Sequence, residues 1–177
     1  MATATVMKSD LQARIEKINK IVEGFKQQHG TGLFVPISAR ELEVSLTTQL
    51  LTILWQGGPG APLPEGSSFT YTIGLHNPGL ATVGYVFAHT WAGFGHPDPN
   101  IGTFLLNVDR RFPTLTEPQT VQGLTLAPNE TKALNFLVKL PTGVESTLYT
   151  LNTCVMRAHW TGVGDFIARA AFPFMVA

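Results

Sequence analysis

The stretch SFTYTIGLHNPGLATVGYVFAHTW, residues 68–91, decides the fold class of this chain. Every second residue from Phe69 to Leu75 is large and apolar, which is the period of a β-strand with one buried face. The four residues His76–Gly79 include Pro and Gly and therefore indicate a turn. A second alternating run extends from Thr82 to Trp91, with Val83, Tyr85, Phe87, His89 and Trp91 on one face. The stretch thus predicts two strands joined by a turn.

Segments of the same kind continue in both directions along the chain. They are Glu41–Trp55, Phe104–Val108, Val121–Leu126, Lys132–Leu140, Leu148–Trp160 and Phe166–Val176. Turn residues separate them, as at Ala127–Glu130 and Gly162–Asp165. Regularly spaced short strands without an interior helix are typical of antiparallel sandwiches. We therefore predict one mainly β domain at residues 31–177, an immunoglobulin-like β-sandwich of seven to eight strands.

Residues 1–30 are predicted to be an N-terminal appendage to this domain, with an amphipathic helix at residues 9–28. Ser9 or Asp10 is placed to cap its start, and Gly30 and Gly32 are placed to end it. Its apolar stripe has spacings of 4, 3, 4 and 3 residues and consists of Leu11, Ile15, Ile18, Val22 and Phe25. A single helix of this length is marginal in water, so the stripe needs a partner. The chain's own β domain, the same helix of sister subunits and a membrane surface are all open.

The charge content is low and balanced. Charged residues make up 14% of the 177 residues, and the 12 basic groups are equal in number to the 12 acidic groups. This balance excludes the highly charged disordered class and argues against nucleic-acid binding. Between Val44 and Pro97 the only charged residue is Glu65. Such a charge-poor segment indicates either a surface covered by another subunit or partner, or a surface kept polar by Thr, Ser and Gly.

The sequence carries no export or membrane-spanning signal. The first residues lack the apolar core of a signal peptide, and no apolar run approaches about 18 residues. Cys154 is the single cysteine, so an internal disulfide is excluded. We therefore expect a cytoplasmic protein in which Cys154 is a small buried strand residue.

The best candidate binding residues lie in and before the long loop at residues 92–102. Trp91, Phe94 and His96 form a possible ligand platform for a carbohydrate or another small ligand, since aromatic side chains in a loop stack on such ligands. The alternative is that the tryptophan closes one end of the core.

Catalytic and metal motifs are not evident. His89, His96 and Asp98 could contribute to a metal site, but their spacing matches no ligand motif and a further firm ligand is not evident. A nucleophile motif, a paired-carboxylate site and a phosphate loop are likewise not found. We therefore expect no cofactor, no metal and no enzyme activity.

Three local patterns resemble the immunoglobulin-like modules of bacterial adhesion-type proteins, the CARDB-like class. They are the HNPG turn between two aromatic-rich strands, LTLAPNETKALNFLVKLP at residues 124–141, and Tyr149-Thr150-Leu151. In the family turn, Gly stands where this chain has Asn129, which tolerates positive φ better than most residues. The resemblance places Tyr149 where a tyrosine corner would lie. It covers residues 66–177 and implies a binding or structural module.

These observations predict a non-enzymatic structural or interaction module that self-associates, with another protein as a further possible partner. The expected contact surfaces are the helix stripe and the charge-poor strands. Two other hypotheses remain open: a membrane-active, pore-forming-like protein that uses the amphipathic helix, and a carbohydrate or small-ligand binder that uses the loop at residues 89–102.

Overall fold

A computed structural model of the protein describes residues 2–30, 32–94, 120–140, 142–143, 146, 148–158 and 164–177. The described helices are α1 (Ala2–Gln28) and α2 (Ala39–Thr48). The described strands are β1 (Leu33–Pro36), β2 (Thr52–Gly58), β3 (Ser68–His76), β4 (Val83–Phe94), β5 (Thr120–Leu126), β6 (Thr131–Lys139), β7 (Leu148–Ala158) and β8 (Gly164–Met175). The strand predicted at Phe104–Val108 and most of the turn predicted at Gly162–Asp165 lie outside these residues.

The strands form two antiparallel sheets of four strands each. One sheet has the order β1-β2-β3-β6 and the other has the order β5-β4-β7-β8. The chain crosses from the first sheet to the second between β3 and β4, returns between β5 and β6, and crosses again between β6 and β7. The predicted fold class, a mainly β immunoglobulin-like sandwich, is confirmed.

The alternating patterns of four strands predicted the core correctly. On β3 and β6 the buried face carries Tyr71, Ile73, Leu75, Leu134, Phe136 and Val138. On β7 and β8 it carries Tyr149, Leu151, Thr153, Val155, Phe172 and Phe174. Cys154 is also buried on β7, as predicted. The buried apolar residues of the two sheets form one core cluster, so the two-residue period identified which side of each strand faces inward.

Strand β4 is buried along the positions between the predicted aromatic ones. Val86, Ala88 and Thr90 are fully buried. A register irregularity lies between Val83 and Val86, so the alternation changes phase within the strand. Because of this shift, Val83 and Val86 both pack against the core although they differ in parity. The side chains of Tyr85, Phe87, His89 and Trp91 lie outside the described part of the chain.

The prediction that the β domain contains no helix was wrong, because Glu41–Trp55 divides into α2 and β2. Ser38 Oγ accepts a hydrogen bond from Glu41 N at 3.2 Å, and Glu41 Oε2 accepts from Ser38 N at 3.3 Å. This reciprocal capping box starts a helix despite the β-branched residues that follow. Leu42 and Leu46 are one turn apart and both are buried, which fixes the helix on the domain.

Helix α1 begins at Ala2, well before the predicted caps Ser9 and Asp10, and ends at Gln28. Gly30 follows with a φ of 74°, a conformation that glycine adopts without strain, so the predicted end is confirmed. The stripe packs within the chain, where Ile18 and Val22 form a second apolar cluster with Leu42, Leu46, Leu54 and Trp55. Leu11, Ile15 and Phe25 pack against the same cluster. In the structure the stripe packs on the chain's own domain, one of the three partners that the sequence leaves open.

Candidate functional site: a cleft between α2 and β8

A cleft of about 600 Å³ lies between α2, β2 and β8. One face of α2, from Arg40 through Val44 to Thr48, forms its first wall. Since a helix rises 1.5 Å per residue, this wall is about 12 Å long. The segments around Val35 and Leu50 continue that wall, and alanines of β8 form the opposite one. The volume lies within the range of about 300–1,000 Å³ that is usual for small-molecule sites.

Exposed aliphatic side chains line this cleft. Val44 is 53% exposed, Leu50 is 56% exposed and Val35 is 37% exposed. All three contribute to the lining. A single exposed leucine is ordinary in a folded protein, but several aliphatic residues around one concavity indicate a contact surface.

Small residues on β8 keep the cleft open. Ala168, Ala170 and Ala171 line its far wall, where larger side chains would occupy the space. Trp55 lies at the inner end, nearly fully buried, and its other side stacks on Phe25 of α1 with ring centroids 4.3 Å apart. The cleft therefore shares one aromatic residue with the surface on which α1 docks.

Most polar groups of the cleft are already satisfied. Ser45 Oγ donates to Leu42 O at 3.0 Å, and Thr48 Oγ1 donates to Val44 O at 2.9 Å. Glu41 belongs to the capping box. Arg40 is different, because its exposed guanidinium has neither a hydrogen bond nor an ion pair with any described residue. Among the side chains that the structure describes, the cleft thus combines largely apolar walls with the unpaired guanidinium of Arg40.

A chain of buried hydroxyl groups begins below the cleft. Tyr71 Oη donates to Gln56 Oε1 at 2.7 Å and accepts from Thr153 Oγ1 at 3.2 Å. Thr153 Oγ1 lies 3.1 Å from Thr90 Oγ1. Burial raises the pKa of the Tyr71 hydroxyl, which therefore stays protonated as a donor. These four side chains link both sheets through the core and explain how polar residues are accommodated there.

A second polar cluster joins two of these chain crossings, the β3–β4 turn and the β5–β6 turn, at one end of the sandwich. The Asn77 side-chain amide, which is fully buried, donates to Ala81 O, Leu126 O and Ala127 O at 2.9–3.2 Å. Its Oδ1 accepts from Gly79 N at 2.9 Å, and Asn77 O accepts from Asn129 N at 2.8 Å. Asn77 therefore bonds to its own turn and to the turn between β5 and β6.

Helix α1 contributes Arg14 to this cluster. Its Nη2 donates to Pro78 O at 2.8 Å and to Asn129 Oδ1 at 3.1 Å, so one side chain bridges the two turns. Asn129 has a φ of 62°, and the prediction that it occupies a positive-φ turn position is confirmed.

His76 lies beneath this bridge and is only 2% exposed. Its Nδ1 is 2.7 Å from Thr131 Oγ1, whereas its Nε2 has no hydrogen-bond partner in the described structure. Burial, followed by the positive charge of Arg14, lowers the pKa of His76 to about 4. At neutral pH the imidazole is therefore neutral.

The residues predicted as sites have different outcomes. The five residues predicted for self-association come together, but they pack against α2 and β2 of the same chain. They are Leu11, Ile15, Ile18, Val22 and Phe25. Ile18 and Val22 are buried there, whereas Leu11, Ile15 and Phe25 are partly buried, and self-association through this stripe stays a prediction. Trp91 and Phe94 belong to the end of β4. Their side chains, and all of His96, lie outside the described residues, so the ligand platform stays a prediction.

Two further properties of the described residues bear on other functions. No group of three or more His, Cys, Asp or Glu residues is placed to hold a metal ion in this part of the chain. Among the helices described, none has the length and apolar character needed to cross a membrane.

Comparison with known proteins finds similarity only among solved structures. No family model matches the chain, and no curated protein does either. The chain is similar to the crystal structure of the CARDB domain of a Pyrococcus furiosus protein, described as a complex with di-metal ions. The identity is 16%, the match covers 72% of this chain and 86% of that one, and the TM-score is 0.44. The resemblance predicted from the sequence is thus confirmed.

Two further structures share the likeness. The C-terminal domain of wzt is 9% identical, with 84% of this chain and 79% of that chain covered and a TM-score of 0.47. A family 123 glycoside hydrolase from Clostridium perfringens is 11% identical over 65% of this chain and 22% of that chain, with a TM-score of 0.36. The likeness is one of fold.

The cleft was not predicted from the sequence, because α2 was not predicted. The capping-box pattern Ser38-Ala39-Arg40-Glu41 was the available signal for the helix. The run Ala168-Arg169-Ala170-Ala171 was a weaker signal, since small residues in an otherwise aromatic strand leave space beside it. Only the fold brings these two segments together.

Proposed function

We propose that this protein is a non-enzymatic interaction module that self-associates through the exposed aliphatic surface around the cleft. A single observation carries the proposal: Val35, Val44 and Leu50 are exposed together at one concavity. Burying such side chains against a second copy would drive association at about 25 cal/mol per Å² before association costs.

The charge distribution supports a second copy as the partner. The formal net charge is zero at pH 7, so two copies do not repel each other. Val44 and Leu50 also lie in the segment that carries only Glu65 as a charge. Because the stripe of α1 is packed internally, the aliphatic residues of α2 and its flanks replace it as the proposed contact surface.

The test is the solution mass by light scattering on a sizing column over a range of protein concentrations. We expect the wild-type chain to associate and the double variant Val44→Lys with Leu50→Lys to be monomeric. Leu80→Lys is the matched control, because Leu80 is also highly exposed but does not line the cleft. A folded wild-type protein that remains monomeric throughout the range contradicts the proposal.

A further inference from the structure

The geometry points to the cleft as a binding site for an aliphatic carboxylate, with the tail along Val35, Val44 and Leu50 and the carboxylate on Arg40. This inference concerns the cleft used by the proposed function, but it does not require that the protein self-associate. It assigns the cleft a small amphiphilic ligand with an anionic head and an unbranched apolar tail.

The charge at the cleft favours an anion. Arg40 lines the cleft and has no partner among the described residues, so its guanidinium donors are available. Glu41, the adjacent acid, is engaged by Ser38 N at 3.3 Å and Ser38 Oγ at 3.0 Å. Successive helix residues do not face each other, so Glu41 is not positioned by the helix to pair with Arg40. A guanidinium binds a carboxylate through two parallel hydrogen bonds, which gives the head group a defined place.

The walls favour an apolar tail over a polar or sugar-like ligand. The hydroxyls of Ser45 and Thr48 donate to helix carbonyls and are not available to donate to a ligand. The alanines of β8 present methyl groups, and the exposed aliphatic residues lie on the opposite wall. From Arg40 to Thr48 the wall spans about 12 Å, so an extended tail fits beside it with its head at Arg40.

Isothermal titration calorimetry with sodium decanoate, below its micelle concentration, tests this inference. We expect saturable binding that 1-decanol, which has the same tail without the charge, does not reproduce at equal affinity. Arg40→Gln should weaken decanoate binding at least tenfold, because a charge-assisted hydrogen bond is lost. Shortening the tail to octanoate should weaken binding by about two- to fourfold per methylene.

Replacing the neighbouring acid, Glu41, should change the decanoate affinity in the opposite direction. Glu41→Gln keeps a capping-box side chain but removes the negative charge, so it should strengthen decanoate binding severalfold. Lys20→Gln, an exposed change on α1 away from the cleft, should leave the affinity unchanged. Circular dichroism checks that each variant is folded.

The outcomes separate the two proposals. Because both proposals use the same aliphatic residues, decanoate is titrated at a protein concentration at which the chain is monomeric. Absence of binding there, or equal binding by wild type and Arg40→Gln, overturns the ligand assignment. Decanoate binding by a protein that is monomeric at every concentration supports the ligand assignment and refutes self-association. Association at higher concentration, with no decanoate binding to the monomer, supports self-association and refutes the ligand assignment.

Discussion

Lowering the pH should destabilise this protein through His76. The folded pKa is about 4, whereas an unfolded histidine has the ordinary value of 6.5. Between these values the unfolded chain binds a proton that the folded chain does not, so stability falls as the pH drops from 6.5 to 4. A depression of this size corresponds to about 3 kcal/mol of stability lost by pH 4, at 1.36 kcal/mol per pKa unit. Below pH 4 both states bind the proton and this loss stops growing.

Urea denaturation at several pH values between 7 and 4, followed by circular dichroism, measures the effect. The informative quantity is the difference in the free energy of unfolding between wild type and His76→Gln, because it isolates the contribution of His76. At pH 7 the variant should be less stable by about 0.5–3 kcal/mol, since a buried ring is lost. The difference should shrink or change sign by pH 4, because the variant no longer has a buried imidazole to protonate.

Arg14→Gln provides the matched test of the second cause. Removing the guanidinium should raise the pKa of His76, so the contribution of His76 to acid destabilisation should become smaller. Wild-type and His76→Gln stability curves that run parallel from pH 6.5 to pH 4 would refute the reasoning.

Three further changes have expected effects on stability, each measured as the free energy of unfolding in urea. Tyr71→Phe removes the hydroxyl between Gln56 and Thr153 and should lower the free energy of unfolding by about 1–3 kcal/mol, because buried groups lose their partner. An unchanged free energy of unfolding would mean that a water molecule replaces the hydroxyl. Gly74→Ala would place a methyl group into the Trp55 ring and should cost about 1–3 kcal/mol, whereas Gly24→Ala, in open space on α1, should stabilise by up to about 1 kcal/mol. Changes of equal sign at the two glycines would contradict this account. Asn77→Ala should cost more than about 3 kcal/mol, since carbonyls of both turns lose their donor; a loss below 1 kcal/mol would show that the turns are held by other contacts.

The sequence predicted the parts of the fold that depend on local period and turn chemistry. The buried faces of β3, β6, β7 and β8 follow from alternation, and Asn129 follows from the backbone conformation that its turn requires. Elements whose local signals conflict were harder to predict. In α2 the residues Val44, Thr47 and Thr48 favour a strand, and the capping box at Ser38 outweighs them.

The docking partner of α1 and the cleft could not be predicted from the sequence, because both depend on contacts between distant segments. The helix stripe specifies an apolar partner without identifying it, and the structure supplies Leu42, Leu46 and Trp55. The cleft joins Arg40 and Val44 of α2 to alanines more than a hundred residues away on β8. Its properties depend on which aliphatic side chains remain exposed, which sequence period alone does not determine.

The bridge from Arg14 to two separate turns has a consequence for the order of folding. Pro78 O and Asn129 Oδ1 come within reach of one guanidinium only when the β3–β4 turn and the β5–β6 turn have both formed and have met at Asn77. If one of these turns is not formed, Arg14 has at most one of its two hydrogen-bond partners. The polar part of α1 docking therefore depends on both turns, and it links α1 to a turn more than a hundred residues further along the chain.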